Sequence, residues 1–257
     1  MVGINDYPGT RHDLQSARQD AEEVDTALGR LGVPGTNRLL IRDAQATAAT
    51  LRRAVDWLRA HEADDAVVVF FFAGHVRKVG EGREAVVTAD EGVLHDVDLA
   101  SMVASLRARQ GWVTIAACFG GGFTEVLRPG WVLTGAAAAG EVAYENEQLG
   151  RSYLVEYMVR RAMVAQGEVK VEAAFAWAHA ALSRDHPDRV PVQFDHGPLD
   201  IDLRPTASVP APAPAGGSAQ PPASEPRSDV EPSPADGAPP PEDSCGQLTA
   251  GVVRCGV

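Results

Sequence analysis

Two side chains of this sequence could together carry acyl transfer. Cys118 lies in the stretch WVTIAACFGGGF, residues 112–123, where an apolar run stops and a glycine cluster begins. His75 lies in FFFAGHV, residues 70–76, where a second apolar run stops at a small-residue turn. A cysteine thiolate is the strongest intrinsic nucleophile among side chains, and an imidazole within reach can take its proton near neutral pH. Such chemistry also needs hydrogen-bond donors where the carbonyl oxygen becomes negative, and backbone N–H groups in tight turns supply them. The amides of Val76 and Cys118 are the candidates. Taken singly, a cysteine closing a buried strand is an ordinary small hydrophobe, and a histidine can simply cap or pack. Their joint placement gives the pair its interest.

The elements that must position them read as an α/β domain with a mostly parallel sheet and helices on both faces. The predicted strands are 2–5, 38–41, 66–72, 112–117, 131–134 and 190–194. The predicted helices, with apolar residues at three- and four-residue spacing, are 14–31, 48–61, 99–109, 152–165 and 171–183. Asp98 is the expected N-cap of the third helix and Gly32 the expected stop after the first. If strands 66–72 and 112–117 are parallel neighbours, His75 and Cys118 both emerge at the carboxyl edge of the sheet, where open α/β sheets place their sites. The first strand starts one residue after Met1, so the sheet is expected either to have a clipped strand or to continue upstream.

Composition sets the frame. With 257 residues, 45% of them hydrophobic, the chain can bury one sizeable core. A net charge of −12 and a pI near 5.0 argue against nucleic acid or an anionic membrane as partner. The longest apolar run, AVVVFFFAG, has the length of a buried strand and not the roughly 20 residues of a bilayer span. With no leader pattern at the start and only Cys118, Cys245 and Cys255, the expectation is a cytoplasmic protein without a disulfide framework. Residues 205–257 hold most of the prolines and almost no large apolar side chains. The expected division is therefore a domain over 1–204 and a Pro/Ala/Ser-rich disordered tail over 205–257, able to reach a protein partner.

The blocks VGINDYPG, SARQDAEEVDTALGRLG, DDAVVVFFFAGH and IAACFGGGF resemble, in this order, those of the caspase-like cysteine peptidases, which include caspases, metacaspases and bacterial relatives. EVAYENEQLGRSYL and VKVEAAFAWAH resemble the C-terminal part of that fold, so the similarity spans about residues 1–204. It implies a caspase-like three-layer sandwich and a cysteine endopeptidase acting on peptide or protein substrates. In it Cys118 attacks the scissile carbonyl, His75 handles the proton, and no organic cofactor takes part. In the metacaspase pattern, one acid in the first helix and another two residues before the cysteine accept a basic P1 side chain. Here Asp20 matches the first, whereas Ala116 stands at the second. The arginine that holds a P1 aspartate in caspases is replaced by Leu14. A basic P1 preference thus rests on one carboxylate, and Asp20 could equally be a helix-start charge or a structural acceptor.

Asp90, Asp96 and Asp98 could collect calcium, as in some metacaspases, although a full site takes about six to eight oxygens. No histidine or cysteine spacing suits zinc. Two other readings stand beside the peptidase. Ala73, Val76 and Ala116 depart from the family pattern, which points to a weak or inactive caspase-like scaffold. A receiver-like domain would need a phosphoacceptor at a strand end, and Asp43 falls beyond the expected second strand.

Overall fold

The computed structural model describes residues 1–197 and 200–205, together with the backbone of 246–247 and 252–254. A six-stranded sheet forms the centre, in the order β11-β8-β7-β3-β1-β2. Its members are β1 (Val2–Gly3), β2 (Ile41–Arg42), β3 (Val67–Ala73), β7 (Gln110–Ala116), β8 (Trp131–Gly135) and β11 (Val192–Asp195). Every pairing is parallel except that of β11 with β8. The apolar run in β3 and its partner in β7 are buried almost throughout, as strands covered on both faces must be. One polar cluster crosses this core. The Trp112 indole donates to Thr134 Oγ1 at 2.9 Å, and the Thr114 and Thr134 hydroxyls share a bond of 2.9 Å, so each of the three buried polar groups has a partner.

Helices α1 (Ala17–Arg30), α2 (Ala48–His61), α3 (Asp96–Ala104) and α4 (Val171–Asp185) flank the sheet with a π-helix, Val155–Ala165. The last was expected as an α-helix, since apolar spacing of three and four suits both. Its winding shows in the bond from Gln166 N–H to the Arg161 carbonyl, five residues back. Helix α3 starts earlier than expected. His95 stands at the N-cap, so Asp98 does not cap but lies in the first turn with Asp96, where both acids face the positive helix end. Gly32 ends α1 as expected, at φ 95°, a conformation open to glycine.

Two smaller sheets were not anticipated. The first is β4 (Val76–Gly80), β5 (Arg83–Val87) and β6 (Val93–His95), which grows directly out of His75. The second is ordered β10-β9-β13-β12, with β9 (Tyr144–Asn146), β10 (Arg151–Ser152), β12 (Gly246–Gln247) and β13 (Val252–Arg254). The expected disordered tail lies mostly outside the described residues, but the two stretches within them are strands paired into this sheet. Among the described residues, no helix is long and apolar enough to cross a membrane.

Candidate active site

Strands β3 and β7 run parallel with Ala73 opposite Ala116, so His75 and Cys118 each leave the sheet two residues beyond a matched pair. Both therefore stand at the carboxyl edge, on neighbouring strands. The topology adds a third contributor. Because β1 lies between β2 and β3, the strand order reverses there, and the loop after β1 falls beside the end of β3. That loop carries Tyr7 and His12, and both bind His75.

Tyr7 holds the backbone of His75. Its hydroxyl accepts the His75 N–H at 2.8 Å and lies 3.4 Å from the Val87 carbonyl, which it can reach as donor. In the regular ladder His75 would bond Val87 directly, and the return bond from Val87 N–H to the His75 carbonyl is present at 2.9 Å. The tyrosine hydroxyl is thus inserted into one rung. The phenol ring also tilts against the imidazole, with centroids 4.7 Å apart. Gly74 makes room: a Cβ there would stand 2.7 Å from the Tyr7 hydroxyl, at φ 157°.

His12 fixes the ring. His75 Nε2 lies 2.7 Å from the His12 carbonyl oxygen. A carbonyl only accepts, so Nε2 carries the hydrogen and Nδ1 is left with its lone pair. His75 is nearly buried, and burial is the main reason its pKa falls below the usual 6.5; the His12 carbonyl pulls it up and the His12 ring pushes it down. The imidazole is accordingly neutral at pH 7, with one basic nitrogen and a fixed tautomer.

The turn after β7 is tightly built. Phe119, directly after the cysteine, is left-handed at φ 57°, which costs a non-glycine residue about 1–2 kcal/mol. Its N–H donates to the Glu141 carbonyl at 2.8 Å, and Gly121 N–H donates to the Ala137 carbonyl at 2.9 Å. Two of the three glycines that follow have local causes. A Cβ on Gly120 would run into the Ile115 carbonyl, and one on Gly122 would meet the buried Glu84 carboxyl group. The loop between β8 and β9 closes over this turn and brings Ala143 to the sulfur. Ala143 N–H donates to Cys118 Sγ at 3.3 Å, and Sγ lies 3.9 Å from the Ala143 carbonyl. The backbone thus offers the sulfur both a donor and an acceptor. Cys118 is 4% exposed, so its approach is narrow.

Val76 opens β4. Since His75 and Val87 form the hydrogen-bonded rung, Val76 and Val86 form the open one, and the Val76 N–H points to the outer edge of the small sheet.

The acid expected to read substrate is deeply placed. Asp20, on α1, is 1% exposed, and its Oδ1 accepts the Ser152 N–H from β10 at 3.0 Å. Burial pushes its pKa to about 8, helped by the Glu145 charge and opposed by the Ser152 hydrogen bonds and Arg151. Asp20 is therefore largely neutral at pH 7. Ala116, at the end of β7, leaves it without the second carboxylate of the metacaspase pattern. Glu145 of β9 was missed by sequence reasoning, although it sits in the quoted EVAYENEQLGRSYL block. It accepts the Gln15 and Ser16 N–H groups at 3.0 and 2.9 Å, tying β9 to the start of α1. Tyr7 was likewise missed. Its only signal was a place in the first family block.

The suggested calcium ligands do not converge. Asp90 accepts the Thr88 hydroxyl at 2.5 Å, while buried Asp96 accepts the amides of Glu84 and Val97. Among the described residues, no three His, Cys, Asp or Glu side chains are grouped to hold a metal ion. Asp43 follows β2 directly and accepts the Asn5 amide at 2.8 Å and Arg18 at 3.3 Å, a structural role.

Comparison with known proteins settles the family. The caspase-domain profile, that of peptidase family C14, matches residues 1–196. The chain belongs to the caspase-domain family. This is a family of cysteine peptidases. No curated protein matches significantly. The crystal structure of protein GSU0716 from Geobacter sulfurreducens is similar in fold, with a TM-score of 0.60 at 12% identity, over 75% of this chain and 90% of that one.

Proposed function

We propose that the caspase domain is an endopeptidase that works through Cys118 and His75. The observation that carries this reading is the bond from His75 Nε2 to the His12 carbonyl. It leaves Nδ1 as the only site on the ring that can accept a proton, in a residue placed one strand from the thiol.

In the first half-reaction, Nδ1 takes the Sγ proton as sulfur attacks the scissile carbonyl carbon. The carbonyl oxygen becomes an oxyanion, received by the Val76 and Cys118 amides. The tetrahedral intermediate collapses with loss of the amine, which leaves with the proton from His75, and a Cys118 thioester remains. In the second half, His75 takes a proton from water as its oxygen attacks the thioester. Collapse then expels sulfur, which regains its proton, and releases the new carboxylic acid. No metal or organic cofactor is needed for any of these steps.

A basic P1 side chain is the preference this site would favour, because Glu145 supplies a negative charge and Asp20 a carboxyl group that an incoming cation would ionise, whereas Leu14 supplies no cation for an acidic P1. The test offers the full chain a fluorogenic peptide library varied at P1, with and without calcium. Cleavage that disappears in both Cys118→Ala and His75→Ala supports the proposal. A folded wild-type chain that cleaves nothing favours a scaffold role, a reading that the narrow approach to Cys118 keeps in view.

A further inference from the structure

Strand β9 is bonded along both edges. On one side lies β10, with Arg151 opposite Asn146. On the other lies β13, from near the chain's C-terminus, with Val252 opposite Asn146, Val253 opposite Glu145 and Arg254 opposite Tyr144. The pairing is antiparallel, so β13 runs toward Tyr144 and, beyond it, toward Ala143. The N–H of Ala143 donates to Cys118 Sγ at 3.3 Å. The C-terminal strand is therefore aimed at the thiol.

An extended peptide to be cut at Cys118 needs a ladder of backbone partners beside it, the usual way an edge strand captures a peptide. With β10 on one edge of β9, the edge held by β13 is the one such a peptide could use. Direction matters as well. A substrate strand must approach the nucleophile with its N-terminal part leading in and its scissile bond at the sulfur, and β13 has that polarity. A second strand, β12, pairs with β13 through Gly246 and Arg254, so the competitor is a hairpin and not one loose strand.

We propose that the C-terminal hairpin is a built-in competitor for substrate, holding the place of an extended peptide on β9 and covering the approach to Cys118. This rests on the peptidase reading for its consequence, though not for its geometry. Because the hairpin belongs to the same chain, docking is unimolecular, and a tethered segment presents an effective concentration of roughly millimolar. A partner, or a cut within residues 206–245, that draws the hairpin away would switch the peptidase on.

The test uses the full chain carrying Val252→Pro and Val253→Pro, since proline cannot donate to a ladder and one of two consecutive residues must face β9. Three readouts are taken. Hydrogen exchange at Tyr144–Asn146 should rise about tenfold, as should iodoacetamide labelling of Cys118, resolved from Cys245 and Cys255 by mass spectrometry. Turnover of an extended fluorogenic peptide should rise by a similar factor, and a synthetic peptide of residues 245–257 should reverse all three. Unchanged exchange overturns docking, and raised exchange with unchanged Cys118 labelling overturns occlusion. If exchange and labelling both rise while neither chain cleaves any peptide, the hairpin proposal stands and the peptidase reading falls.

Discussion

Asp20 offers the sharpest quantitative check on the site. Its carboxyl is fully buried with a pKa raised to about 8, against 3.8 for the free side chain. In the unfolded chain the group loses its proton near pH 4, and in the folded chain only near pH 8. Between those values the folded state binds one proton more, so stability falls as pH rises, by at most about 1.4 kcal/mol per pH unit from this group. The contribution is complete below pH 4 and gone above pH 8. Asp20→Asn keeps the shape and the acceptor for the Ser152 N–H but cannot ionise. Urea unfolding of wild type and variant at pH 5.5, 6.5 and 7.5 should show the difference between them shifting toward the variant by about 1 kcal/mol per unit. Parallel pH profiles would refute a neutral, buried Asp20. On the proposed P1 reading, the same ionisation reaches substrate selection. A P1 guanidinium entering beside Asp20 must drive its proton off, so KM for a P1-arginine peptide should fall as pH rises from 6 to 8, and the fall should vanish in Asp20→Asn.

Three further outcomes follow from the geometry around the proposed dyad. The acid limb of kcat/KM should lie below pH 6.5, because burial depresses His75 and only its neutral form can take the thiol proton; a limb above 6.5 would contradict the environment described. Tyr7→Phe should cost about 1–3 kcal/mol in chemical denaturation and lower kcat more than it raises KM, since it strips the His75 N–H of its acceptor while leaving the ring contact. Gly120→Ala should destabilise by about 1–3 kcal/mol and slow iodoacetamide labelling of Cys118, because the new methyl group is driven into the Ile115 carbonyl and shifts the turn behind the sulfur.

How far the sequence disclosed this arrangement depended on the kind of interaction involved. The β3 and β7 runs were legible because strands buried on both faces are continuously apolar, and their small-residue ends marked where His75 and Cys118 leave the sheet. Helix α2 was predicted over 48–61 and is Ala48–His61, with Thr47 capping it through the Thr50 amide. What escaped were short strands without an apolar pattern. β4 is exposed at four of its five positions, and β9 has only three residues, so neither carries the period that betrays a strand. The partners of His75 escaped for a different reason. The ring is oriented by the carbonyl of residue 12, and any residue there supplies one.

That last point bears on the departures from the family pattern that argued for an inactive scaffold. Ala73 and Ala116 close the two strands as matched register partners, and Val76 contributes an amide at an open rung, a role to which its side chain is indifferent. The tautomer of His75, the donor on Cys118 Sγ and the proposed oxyanion amides all come from the main chain. On the proposed reading, a caspase domain built this way can exchange the side chains flanking Cys118 and His75 and keep the main-chain contacts that orient them, as long as the loop after β1 and the loop before β9 stay in place. Substitutions at 73, 76 and 116 should therefore alter which peptides are accepted more than whether the Cys118–His75 pair can react. The acids that hold those loops, Asp43 on the Asn5 amide and Glu145 on the Gln15 and Ser16 amides, then support the pair together with the Tyr7 hydroxyl on the His75 amide.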